Sequence, residues 1–171
     1  MAILTEPIFK GIKNNFLRAI LEVLVSSIPG TLLLTFFILL IGVLNIYFNL
    51  SEANDVSIFF YFPVICILPV IIGILAPLVL EKVQAAKFFD MKLSVAVAFL
   101  SSLLGSLIPS IILLILGFGF ENFKPFGVAI QNFLPTPIGL IVASFILVFS
   151  SVFLAVLGSI LYVFIINRIE K

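Results

Sequence analysis

The chain has 171 residues, of which 63% are hydrophobic and only 10% carry a charge. Soluble domains contain roughly 45–50% apolar and about 25% charged residues, and a soluble fold of this size could not hide so much apolar surface from water. The composition therefore excludes a water-soluble globule and favours a protein whose solvent is lipid. Nine Lys and Arg against eight Asp and Glu leave a net charge of +1, so no charge excess indicates a nucleic-acid partner.

The chain is predicted to be a single integral membrane domain, residues 1–171, that begins with an amphipathic segment at residues 8–28. Apolar residues recur there at every fourth position: Ile8, Ile12, Phe16, Ile20 and Leu24. This periodicity predicts a helix that lies in the membrane interface. Pro29 and Gly30 would end it, because proline removes a backbone donor and clashes with the preceding turn. One long, tilted helix that continues into the first span is the alternative.

Four uncharged apolar runs are long enough to cross about 30 Å of hydrocarbon, which takes roughly 20 helical residues. They cover residues 30–49, 58–80, 93–118 and 137–166. Strands are disfavoured, because a lipid-exposed barrel needs alternating polarity and these runs are apolar on every face. The predicted fold class is therefore an all-α, polytopic membrane protein with four transmembrane helices.

The basic residues predict the orientation in the membrane. Eight of the nine lie before the first span, between the second and third, or after the fourth: Lys10, Lys13, Arg18, Lys82, Lys87, Lys92, Arg168 and Lys171. Only Lys124 falls on the opposite side. Because short loops that carry Lys and Arg stay in the cytoplasm, we expect a multi-pass protein of the cell membrane with both termini cytoplasmic.

The sequence offers little for catalysis. It has no histidine and a single cysteine, Cys66, so neither a zinc site of ordinary ligands nor a Ser-His-Asp arrangement can be built. The acids fall in predicted loops, the interfacial segment and the chain ends: Glu6, Glu22, Glu52, Asp55, Glu81, Asp90, Glu121 and Glu170. We therefore expect no enzyme activity, no metal, no cofactor, and no carboxylate inside the spans of the kind that marks ion pathways.

Small and weakly polar residues form rows in the third and fourth spans. The rows are Ala98, Ser102, Ser106 and Ser110, and then Gly139, Ala143, Ser151, Ala155 and Ser159, with Leu147 interrupting the second. A row at four-residue spacing forms one side of a helix, where small residues let neighbouring backbones approach closely. We expect these rows to pack against helices of this chain or of a partner. A hydroxyl-lined path for a small polar solute is the alternative.

Prolines are the remaining candidates for a functional role. Five of them lie within or beside the predicted helices: Pro29, Pro63, Pro69, Pro77 and Pro109. Each can kink a helix and free a backbone carbonyl, which then needs a donor from a neighbouring helix or from water. Three of the five fall in the second span, which raises the chance that this helix moves or borders a cavity.

Two functional hypotheses follow. The first is a non-catalytic membrane protein, an accessory or structural subunit of a complex or a small homo-oligomer, whose partners are the lipid bilayer and other membrane helices. The second is a small oligomeric transporter or channel for a polar solute. A weak similarity between residues 26–34 and 106–114 favours the second, because it would make the chain two helical hairpins in parallel orientation. The sequence identifies neither a substrate nor a partner.

Overall fold

The computed structural model describes residues 8, 9, 11–48, 63–84, 90–119 and 136–169. They form four long helices: α1 (Asn15–Phe48), α2 (Leu68–Gln84), α3 (Met91–Gly119) and α4 (Thr136–Ile169). A single π-helical turn, Pro63–Ile67, leads directly into α2. Four stretches are long and apolar enough to cross a membrane: Asn15–Ile41, Pro63–Gln84, Met91–Ile112 and Ser144–Ile169. The all-helical fold with four candidate membrane-spanning helices is therefore confirmed.

The first helix differs from the prediction. The expected break at Pro29 and Gly30 does not occur: α1 is one continuous helix with Pro29 inside it, and a separate amphipathic helix over residues 8–28 is not supported. The apolar row continues through the proline on the outside of the bundle, as Phe16, Ile20, Leu24, Ile28, Leu32, Phe36 and Leu40. The four-residue periodicity therefore belongs to a face that stays on the outside of the bundle from Phe16 to Leu40.

A physical reason favours the continuous helix. Proline inside a helix frees one backbone carbonyl, whereas a complete break within hydrocarbon would leave several backbone groups without partners, each at a cost of several kcal/mol. Pro29 itself lies on the exposed side of α1, where its ring does not meet a neighbouring helix.

The starts of α1 and α3 are fixed by two polar caps. Asn14 precedes α1 and Asp90 precedes α3. In each case the side-chain oxygen accepts hydrogen bonds from the amides of the second and third helical residues, at 3.0 and 3.3 Å in α1 and at 2.9 and 3.3 Å in α3. Such a cap satisfies amide donors that have no partner within the helix. The fixed starts set the register in which the two helices meet.

α3 packs extensively on the next helix, α4, and α2 contacts α3 across the bundle. Two helix pairs that are not consecutive in the chain also pack extensively: α1 on α3, which is the most extensive contact of all, and α2 on α4. Within each of these two pairs the helices run in the same direction; consecutive helices are antiparallel. α1 and α4 make at most marginal contact over the described residues. The two hairpins thus stand side by side with corresponding helices parallel, and the internal sequence repeat stays a prediction.

One end of the bundle carries all the basic residues of the described ranges, and we call it the basic end. These residues are Lys13, Arg18, Lys82, Lys92 and Arg168. The amino ends of α1 and α3 and the carboxyl ends of α2 and α4 meet there.

The interior between the helices contains two apolar clusters. One consists of Leu34, Ile38, Leu68, Ile72 and Leu147, and the other of Ala76, Leu80, Val97, Ala98 and Ala155.

Spin labels placed singly at Ile20, Leu24 and Ile28 should lie progressively deeper in a bilayer, by about 1.5 Å per residue along the helix axis. The reason is that α1 continues through Pro29 into the membrane. The measurement is the accessibility of each label to oxygen and to a water-soluble nickel complex in liposomes. Because the three positions share one face of the helix, equal depths at all three would restore the interfacial helix.

Candidate functional site

The described interior is held together by two seams between parallel helices, and the first lies between α1 and α3. Gly30 faces Ser101: a Cβ atom added at Gly30 would lie only 2.9 Å from the Ser101 Cβ. Gly105 faces Leu34 in the same way, at 2.9 Å from the Leu34 Cβ and 3.2 Å from the carbonyl oxygen of Thr31. Each helix thus contributes a glycine on which the other helix rests. No larger residue fits there without a shift of the backbone.

Hydroxyl groups bridge this α1–α3 seam. Ser101 Oγ donates to the carbonyl oxygen of Ser27 at 3.1 Å, and Thr31 Oγ1 donates to the carbonyl oxygen of Ser101 at 3.4 Å. Thr35 Oγ1 donates to the carbonyl oxygen of Gly105 at 3.3 Å. Interhelical hydrogen bonds of this kind average about 0.6 kcal/mol each, so the seam depends on several of them together with the close packing.

The Thr35 hydrogen bond has a specific cause. Pro109 lies inside α3 and is buried, and proline has no N–H to donate to the carbonyl four residues earlier. That carbonyl is the one of Gly105, which accepts from Thr35 instead. A neighbouring helix therefore replaces the donor that the proline lacks, as membrane proteins require.

The predicted row on α3 is buried, but its hydroxyl groups bond within their own helix. Ala98, Ser102, Ser106 and Ser110 are all buried. Ser102 Oγ donates to the carbonyl oxygen of Ala98 at 2.8 Å, and Ser106 Oγ donates to that of Ser102. Two hydroxyls of this row therefore donate to backbone carbonyl groups of their own helix, an arrangement typical of serines in membrane helices.

The second seam, between α2 and α4, is closer still. A Cβ atom added at Gly73 would collide with the carbonyl oxygen of Ala155 and lie 2.9 Å from the amide nitrogen of Ser159, and one added at Gly158 would lie 2.6 Å from the carbonyl oxygen of Val70. The two backbones touch here without intervening side chains.

The α4 row predicted from the sequence contributes to this seam in part. Ser151, Ala155 and Ser159 are buried, while Gly139 and Ala143 lie in α4 with surroundings outside the described part of the structure.

The sequence analysis missed the two glycines of the α2–α4 seam. A signal was present: Pro69, Gly73 and Pro77 recur at four-residue spacing, and all three are buried on one side of α2. The prolines of the second span therefore belong to a packed interface. Pro63, at the start of the π-helical turn, is exposed.

A buried carboxylate joins α1 to α2 at the basic end. The Glu22 residue is only 3% exposed. Arg18 Nε donates to Glu22 Oε1 at 2.7 Å, and Gln84 Nε2 donates to Glu22 Oε2 at 2.7 Å. Both carboxylate oxygens have a donor, which a buried charge needs in order to be tolerated.

The expectation that no carboxylate lies within a span is wrong for Glu22. The candidate span Asn15–Ile41 includes it, whereas the sequence analysis assigned it to an interfacial segment. The four-residue spacing of Arg18 and Glu22 could have indicated that the Arg18 side chain pairs with the Glu22 carboxylate. The role of this group in the structure is to hold two helix ends together.

Four buried hydroxyl groups have no hydrogen-bond partner among the described residues. They belong to Ser26, Ser94, Ser151 and Ser159. An unpaired buried hydroxyl costs roughly 1–3 kcal/mol in proteins. Packing alone therefore does not explain why these four hydroxyl groups are buried.

Comparison of the chain with known protein families, with curated proteins and with solved structures found no match. Within the described ranges, no three His, Cys, Asp or Glu side chains come together as a metal ion would require.

Gly73→Ala should lower the free energy of unfolding by roughly 1–3 kcal/mol, the usual cost of overpacking, because its methyl group would meet the Ala155 backbone. Helix propensity acts in the opposite direction, since alanine is favoured over glycine by about 1 kcal/mol. A net loss of stability must therefore come from the close contact in the α2–α4 seam. The measurement is thermal unfolding in detergent.

The control for this substitution is Gly11→Ala, because a Cβ atom at Gly11 would meet nothing within 4 Å. We expect no change in stability for the control. Equal stability of the two variants would show that the α2–α4 seam is not as close as described.

Thr35→Val should cost between about 0.6 and 1.7 kcal/mol, the average and the maximum for interhelical hydrogen bonds in a membrane protein. In a Pro109→Ala background the same substitution should cost less, because the alanine N–H can then donate to the Gly105 carbonyl. A double-mutant cycle on thermal unfolding measures this coupling. A coupling energy of zero would mean that Thr35 does not replace the missing donor.

Proposed function

We propose that the chain is a non-catalytic, multi-pass subunit of a membrane assembly, formed either with partner proteins or as a small homo-oligomer. The observation that carries the proposal is that glycines bring the helices close in both seams: Gly73 and Gly158 set backbone against backbone in one, and Gly30 and Gly105 face Ser101 and Leu34 in the other. Small residues are thereby used for helix association. This use supports a structural role more directly than a path for a solute.

The orientation is part of the proposal. The basic end faces the cytoplasm of a cell membrane, because five Lys and Arg residues of the described ranges gather there and cytoplasmic segments are rich in these residues. Both termini lie on that side, since the amino end of α1 and the carboxyl end of α4 belong to the basic end.

Single cysteines test the orientation, in a Cys66→Ser background that removes the natural thiol. Cysteines at Ser57 and Gln131 should react with an impermeant thiol reagent added to intact cells, and cysteines at Lys82 and Asn167 should react only after the cells are opened. The reverse pattern would place the basic end outside.

A small transporter or channel is the second candidate, and the four unpartnered hydroxyls favour it. Ser26, Ser94, Ser151 and Ser159 lie on three different helices, and a polar solute or water passing between the helices would supply the missing partners. The π-helical turn that leads into α2 adds to this candidate, since π-helical turns occur frequently at functional sites.

The Ser151→Ala, Ser159→Ala double variant separates the two candidates. If the chain is a structural subunit, stability should stay equal or rise, because an unpaired buried hydroxyl is removed, and the wild type and variant should purify in the same assembly after mild detergent extraction. If the chain is a transporter, the variant should fold normally and lose flux of a polar solute in reconstituted vesicles. Wild-type protein that purifies as a lone monomer would contradict the subunit proposal.

A further inference from the structure

An apolar groove runs along the outside of the bundle between α1 and α3, starting at the basic end. Its walls include Phe16, Ile20 and Leu24 of α1 and Leu93, Ala96 and Leu100 of α3, and its volume is about 350 Å³. From Leu93 to Leu100 the groove extends about 10 Å along the helix axis, at 1.5 Å per residue. The groove is open on the outside of the bundle, and part of an acyl chain would fit along its length.

Two lysines lie near one end of this groove. Lys13 lies just before α1 and Lys92 is the second residue of α3; both side chains are exposed. Lys92 is one helical turn before Ala96, so it stands on the same side of α3 as the groove wall. The parallel packing of α1 on α3 also brings two helix amino ends together, and each adds a partial positive charge.

Among the described residues, the acidic groups nearby have hydrogen-bond partners other than these two lysines. The carboxylate of Asp90 accepts hydrogen bonds from the amides of Lys92 and Leu93 as the cap of α3. The Glu22 carboxylate is buried and bonded to Arg18 and Gln84 on the side that faces α2. Lys13 and Lys92 therefore remain available to a ligand at this end of the groove.

We propose that this groove binds one anionic phospholipid, with an acyl chain against the apolar walls and the headgroup phosphate at Lys13 and Lys92. Charge complementarity decides the occupant. A second copy of the chain related by a twofold axis along the membrane normal would set the same lysines of both copies at the same level, and like charges would repel. An anionic lipid satisfies the apolar walls and the two lysines at once.

The experiment is native mass spectrometry of the purified full chain with added phosphatidylglycerol or phosphatidylcholine. The wild type should retain one phosphatidylglycerol per chain in preference to phosphatidylcholine. A Lys13→Gln, Lys92→Gln double variant should bind phosphatidylglycerol roughly 25-fold more weakly, at about fivefold for each basic residue near an anionic headgroup. Its affinity for phosphatidylcholine should not change.

The matched control is Lys82→Gln, Arg168→Gln. It removes the same charge from the same end of the bundle, but from α2 and α4, and it should change the phosphatidylglycerol affinity less than twofold. Ala96→Leu should weaken the binding of both lipids, because the added side chain fills the groove. Ala19→Leu tests the opposite wall, and thermal unfolding shows that each variant is folded.

Three results would overturn the proposal. Equal losses in the two double variants would mean that lipid is attracted by the basic end as a whole. Unchanged binding in folded Ala96→Leu and Ala19→Leu would mean that the groove holds no acyl chain. The absence of any preference for phosphatidylglycerol in the wild type would mean that the lysines hold no headgroup.

Discussion

The close approach of helix backbones in an apolar solvent is the constraint on which this structure depends. A leucine gains almost nothing by exchanging lipid for another leucine, so apolar side chains by themselves do not hold membrane helices together. Dispersion contacts and polar pairs between backbones must do so, and both need short distances. Glycines make these short distances possible: Gly73 and Gly158 in the α2–α4 seam, and Gly30 and Gly105 in the α1–α3 seam. Large side chains such as Phe145, Phe149 and Phe153 of α4 are accordingly left on the outside.

The same constraint explains how polar groups are placed. A carbonyl freed by proline cannot turn to water inside the membrane, and the one freed by Pro109 receives a hydroxyl from the helix that packs closest to it. The Glu22 carboxylate follows the same logic near the basic end, with one donor from its own helix and one from α2. Thr35 and Glu22 therefore join helices that small residues already allow to lie close together.

The extent to which the sequence predicts this structure differs between features. Uninterrupted apolar runs identify four spanning helices, because hydrocarbon thickness sets their length directly. The four-residue spacing of Ser102 and Ser106 is also local, and it predicts a row on one side of the helix that is buried in the structure. The start of the first span was missed, because an exposed apolar stripe at four-residue spacing looks the same whether the helix lies on the membrane or enters it. The local spacing around Glu22 and Gly73 carries a signal, but it does not identify the helix that each one meets, because that contact is with a residue more than sixty positions away.

The pairing of α1 with α3 has a consequence for the order in which the protein is made. The hydroxyls of Thr31 and Thr35 bond to acceptors seventy residues further along the chain. Neither bond can form before the third span has been synthesised. At about 5–20 residues per second, the ribosome takes roughly 4–14 s to cover that distance. During this interval the face of α1 that carries Gly30, Thr31 and Thr35 lacks the helix that covers it in the folded protein. The speed of translation through α3 therefore sets how long that face stays uncovered.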